Sequence, residues 1–192
     1  MAALLFLTLC AYVGAFLWRV LPAAAVTGGA AEAAAPAWPL RGIAVRRELL
    51  LDAAPEAAED GERLSTRRSG AGAGLWFSGI DGFEDLTPED LEALDIPGLE
   101  ALLERSAAPE PGATGRLVLD AAWYYAALSS AEGSAPSIGS CMLLFEGLDR
   151  PLPAKLLRVE QSGGQRLLLF RLTEGGQALC LRKTDAQLLG SA

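Results

Sequence analysis

Histidine is missing from all 192 residues. Its absence removes His-based catalytic triads, histidine general bases and histidine-ligated zinc. Cysteine is nearly as scarce: Cys10, Cys141 and Cys180 form no CxxC or other metal-ligand spacing. Cys10 lies in an apolar run, while Cys141 and Cys180 sit in strand-like segments and are read either as buried free thiols or as a disulfide. No basic patch is present. Net charge is −8, and from Arg116 onward eight bases meet seven acids, so the electrostatic footprint of a nucleic-acid binder is lacking. No nucleophile elbow is recognisable, and no catalytic residue, cofactor or metal site is expected.

What is present begins with a greasy segment. Ala2 to Trp18 is 17 residues without a charge, followed by Arg19. As a helix it would reach about 26 Å, slightly short of the ~30 Å hydrocarbon core, but Arg19 can snorkel and Tyr12 and Trp18 suit an interface. Residues 1–22 therefore read as a membrane anchor meeting the lipid bilayer through residues 2–18. A cleaved signal peptide is the alternative, with Ala23-Ala24-Ala25 as an A-x-A site, although the segment starts without Lys or Arg. By the positive-inside rule Arg19 alone would place the following part in the cytoplasm. Residues 23–39, rich in Ala, Gly and Pro, read as a flexible linker.

The pattern changes period between Gly74 and Leu94. Leu75-Trp76-Phe77 is bulky and β-prone, and Asp81-Gly82 is a turn signal. Thr87 then suits an N-cap, Pro88 the first helical position, and Glu89 and Asp90 the positive end of a helix dipole. Pro97 starts a second short helix. Leu91, Leu94, Leu99, Leu102 and Leu103 line one face of the pair, which is too short to be stable without a partner surface. Ten acids against the single base Arg105 lie between Asp81 and Glu110; they lack EF-hand spacing and read as a solvated face. Gly70 to Gly74 reads as a plain turn, since it lacks the Lys-Ser/Thr of a phosphate loop.

Strand signals flank this insert. Upstream are Gly42–Arg46, Glu48–Leu51 and Gly61–Ser65. Downstream are Leu117–Leu119, Trp123–Leu128, Cys141–Phe145, Ala154–Val159, Arg166–Leu172, Ala178–Arg182 and Gln187–Leu189, with turns at Ser162-Gly163-Gly164 and Glu174-Gly175-Gly176. Even spacing of short strands points to a small barrel or sandwich. Trp123, Tyr124 and Tyr125 alternate faces, so at least one aromatic belongs in its core.

Three pieces together resemble the HlyD-like, RND-related membrane-fusion (periplasmic adaptor) proteins of Gram-positive type. They are Gly74–Leu94, Leu119–Tyr125 and Leu181–Leu189, with Leu75–Ser78 and Asp81-Gly82-Phe83-Glu84 matching a G-x-V-S-like strand and a D-G-Y-E-like turn. The family-like residues are Ser78, Asp81, Gly82, Phe83, Glu84, Trp123, Tyr124 and Arg182. The resemblance implies a mainly β chain with a short helical insert: a transmembrane helix, a barrel-sandwich (lipoyl-like) module at 40–83, the insert at 84–106, a linker at 107–115 and a small β-barrel at 116–192. Only Thr66 to Ala73 separates the two sandwich halves, so this is a shortened form without the coiled-coil hairpin. The implied role is that of a non-enzymatic adaptor, accessory or scaffold to a membrane transport or envelope complex. It would be single-pass in the cytoplasmic membrane with its folded part outside, against the single-arginine vote. Contact would run through exposed sheet edges or the leucine face of the insert.

Overall fold

A computed structural model describes residues 38–53, 58–66, 72–119, 122–173 and 181–189, all within the unit Ala35–Ala192. The expected anchor, Cys10, Cys180, the turn at 174–176 and most of the strand expected at 178–182 fall outside those residues. In chain order the elements are β1 (Trp38–Val45), β2 (Glu48–Leu51), β3 (Arg63–Thr66), β4 (Gly72–Phe77), α1 (Pro88–Ala93), α2 (Ile96–Glu104), β5 (Gly115–Val118), β6 (Trp123–Ser130), β7 (Gly139–Phe145), β8 (Leu152–Ser162), β9 (Gln165–Leu172) and β10 (Lys183–Leu189).

Six strands close a barrel in the order β1-β10-β7-β8-β9-β6, every neighbouring pair antiparallel. Alternation decides what lies inside. On β6, Trp123, Tyr125 and Ala127 join the interior cluster, while Ala126 and Leu128 belong to the outer wall. The interior is filled with side chains: the Tyr125 ring meets Phe145 edge-on at 4.9 Å and Phe170 at 6.2 Å, and Trp123 lies 5.5 Å from Phe145. The Tyr125 hydroxyl donates to the Thr184 carbonyl at 2.8 Å. Room for this ring depends on Gly42, where a Cβ would stand 2.7 Å from the ring and 2.4 Å from the Ala126 carbonyl oxygen.

A second, four-stranded sheet has the order β2-β5-β4-β3. Its strands redistribute the expected modules. β1, expected in the sandwich module, belongs to the barrel, and β5, expected to begin the barrel, pairs with β2 and β4. The reason is closure. Without β1 the five strands β6 to β10 would leave β6 and β10 as unpaired edges; β1 bonds to both and removes them. Gly72–Gly74, expected within a turn, is strand, paired with Leu64, Ser65 and Thr66 on β3.

The insert forms as its caps direct. Thr87 and Asp90 make a reciprocal capping box at the start of α1, and the Asp95 side chain accepts from the Gly98 N–H at the start of α2. The leucine face proposed from the sequence as a partner surface meets the chain's own barrel instead. Leu91, Leu99, Leu102 and Leu103 are buried in one cluster with Ile43, Val45, Ala126, Leu167 and Leu169 of the outer wall, and Leu94 is half-buried against it. Two short helices gain stability from that wall which they could not supply alone. Barrel cations finish both helices: Arg158 donates to the carbonyls of Glu92 and Leu94, and Lys183 to those of Leu103 and Arg105.

Two substitutions test this packing. Leu143 and Leu168 are fully buried in the barrel interior, so Leu143→Asp or Leu168→Asp places an unpaired charge there and should abolish the cooperative melt in circular dichroism. Leu99→Ala should cost about 2–5 kcal/mol in denaturant unfolding and Leu94→Ala clearly less. Equal, small effects at both helix positions would mean that the insert does not pack on the wall.

Candidate functional site

The loop from Ser78 to Thr87 carries most of the family-like motif, and its own side chains fold it. Gly82 takes a positive φ of 79°, and a Cβ there would stand 2.4 Å from the Ala108 carbonyl oxygen, so the turn requires glycine. The Glu84 carboxylate accepts from the N–H groups of Asp81 at 2.7 Å and Gly82 at 2.9 Å. Asp81 in turn accepts from the Phe83 N–H at 3.0 Å.

That turn delivers two carboxylates to a buried ionic cluster. Arg182, just ahead of β10, donates through Nε to Asp81 Oδ2 at 2.8 Å, through Nη2 to Glu48 Oε2 at 2.6 Å and through Nη1 to the Ala44 carbonyl at 3.3 Å. Arg116 on β5 places Nη1 3.4 Å from Glu48, 3.5 Å from Asp81 and 3.6 Å from Glu84. Arg46, between β1 and β2, donates to the Leu181 carbonyl at 2.9 Å and stacks its guanidinium 5.1 Å from the Trp123 ring. With Arg46 Nη1 also 4.0 Å from Glu48 Oε1, three arginines meet three carboxylates, and the formal charges cancel. The Glu48 side chain is wholly buried and that of Asp81 one-third exposed.

Burial by itself would raise the Asp81 carboxyl. The Arg182 hydrogen bond and the charges of Arg182 and Arg116 outweigh it and hold the group below the usual carboxylate range. The same balance acts on Arg182: burial disfavours its charge, and Glu48 and Asp81 more than compensate. Such an arrangement keeps charges fixed and paired, binding four stretches of chain (the β1–β2 junction, β5, the Asp81 turn and the lead into β10) to one point. Among the described residues no group of three or more His, Cys, Asp or Glu side chains could hold a metal ion.

The family-like residues are thus only partly gathered. Asp81, Glu84 and Arg182 share the cluster, and Trp123 reaches it through Arg46. Phe83 is buried close by, with Arg105 at 4.5 Å and Lys183 at 4.7 Å from its ring. Ser78 stands apart: its N–H and hydroxyl bond Asp60 at 2.7 and 3.3 Å. Tyr124 is half-buried on the outer wall beside the helices. Sequence reasoning missed Arg46, Glu48 and Arg116, whose one signal is a charge set at the border of an apolar strand. Cys141 is a free, half-buried thiol raised by burial, and its possible partner Cys180 lies outside the described residues. No helix among the described residues is long and apolar enough to cross a membrane.

No protein-family model, no curated protein and no solved structure matches the chain.

Removing one member exposes what the cluster contributes. Glu48→Gln leaves Arg182 and Arg116 short of a buried counter-charge and should cost about 3–5 kcal/mol in urea unfolding. The acid limb tests Asp81. Its folded pKa lies below its unfolded value of about 3.9, so its contribution is complete above that pH and is lost as pH falls through the folded value. Asp81→Asn should therefore flatten the loss of stability below about pH 4; an unchanged acid limb would show that Asp81 is not ionised in the cluster.

Proposed function

We propose that the chain is a non-enzymatic, membrane-anchored adaptor whose folded unit lies outside the cytoplasmic membrane and serves as an accessory or scaffold to a transport or envelope complex. The observation that carries this reading is the internal cancellation of the buried charges. Asp81, Glu84 and Glu48 are matched in charge by Arg182, Arg116 and Arg46, and Glu84 is held by backbone N–H groups, an arrangement suited to bracing rather than turnover. The uncharged run Ala2–Trp18 and the Ala/Gly/Pro stretch after it support a tether and spacer. The shortened HlyD-like pattern supports the same placement and, lacking the hairpin, argues for contact near the membrane instead of a long reach.

The second reading, a secreted β binding unit, draws on Ala23-Ala24-Ala25 as a cleavage site. Fractionation with sequencing of the mature N-terminus separates the two. The anchored form should stay with membranes through an alkaline wash, retain residues 1–22, be digested by protease added to spheroplasts, and crosslink to a discrete membrane protein. A chain beginning near Val26 in the medium would select the secreted form. Recovery as a lone cytosolic monomer would defeat both.

A further inference from the structure

The barrel wall beside α2 carries a cleft of about 840 Å3, within the roughly 300–1,000 Å3 of small-molecule sites. Strand register builds its floor in two rows that face outward. One runs Leu128, Arg41, Asp185 across β6, β1 and β10; the next runs Pro39, Gln187, Leu144 across β1, β10 and β7. Leu103 of α2 and Leu148 after β7 form apolar side walls. The acids Glu100, Glu104 and Glu146 surround this surface, and Arg41, the one lining base among the described residues, stands in register with Asp185.

We propose that this cleft binds an organic cation with an apolar body. The apolar floor supplies contact area, and three acids beyond the Arg41–Asp185 pairing supply a field that favours positive charge and opposes negative charge. The neighbouring Lys183, whose ammonium sits on the carbonyls of Leu103 and Arg105, adds a second positive charge beside Arg41, but the four acids Glu100, Glu104, Glu146 and Asp185 still leave the balance negative. A peptide added as a further strand does not fit this wall: β1 and β10 are each paired on both sides, leaving no open edge. The inference is independent of the adaptor reading, since the cleft serves an anchored or a released unit equally.

The test is a charge series of near-identical shape, titrated by calorimetry into the purified full-length chain: phenylbutylammonium, phenylbutanol and phenylbutyrate. The ammonium should bind saturably, roughly tenfold more tightly than the alcohol, with the carboxylate weakest and the preference shrinking in high salt. Glu104→Gln and Glu146→Gln, both exposed and neutral to folding, should each weaken the ammonium several-fold, whereas Glu62→Gln, just ahead of β3 and outside the cleft lining, should not. No saturable binding of the ammonium, equal binding of the three probes, or indifference to both cleft substitutions would overturn the proposal.

Discussion

An arginine taken out of water must find its counter-charge, and Arg182 finds two. Its fork joins Glu48 on the small sheet to Asp81 in the turn before the helices, while a third donor reaches the Ala44 carbonyl on the barrel. Desolvating such groups is expensive, and geometry this specific is what offsets the cost. The barrel mouth, the second sheet and the helical insert each contribute a member. None of the three can shift without uncovering a charge left by the others.

The barrel answers a different constraint. Its inner face is closed by aromatic rings and its outer face is divided. Helices cover the wall of β1, β6 and β9; among the described residues none packs into a core cluster on the outer wall of β7 and β10, where Met142 is exposed. The insert is thus part of the barrel's own burial, and the ionic turn ahead of it fixes where it lands. Surface left for contact lies on the other side and in the cleft that borders α2.

Much of the local structure was legible in the sequence. Strand alternation at Trp123–Tyr125, the apolar run of Arg166–Leu172, the Thr87 cap and the Asp81-Gly82 turn depend on neighbours within a few residues. Pairing across the whole chain was not. Nothing near Ile43 indicates that β1 lies between β6 and β10, and nothing near Leu117 assigns β5 to the small sheet, because closure is a property of all six strands together. The leucines of the insert were legible as a sticky face, but their partner is decided by three-dimensional adjacency. The charged cluster was hardest to foresee. Arg46, Glu48 and Arg116 have the same letters as solvated residues, and burial alone distinguishes them. Asp81, Glu84 and Arg182 were singled out through a family likeness and now have a physical tie of their own.

The ring is sealed by its first and last strands: Trp38 opposite Leu188, Ile43 opposite Lys183. The strand that leaves the ribosome earliest must therefore wait for the latest to arrive. Assembly of that kind is dominated by non-local contacts and proceeds slowly, and until β10 is made β1 has β6 on one side only and an open edge on the other. The same seam that gives the finished wall no edge leaves the newborn chain with one until its last strand is made.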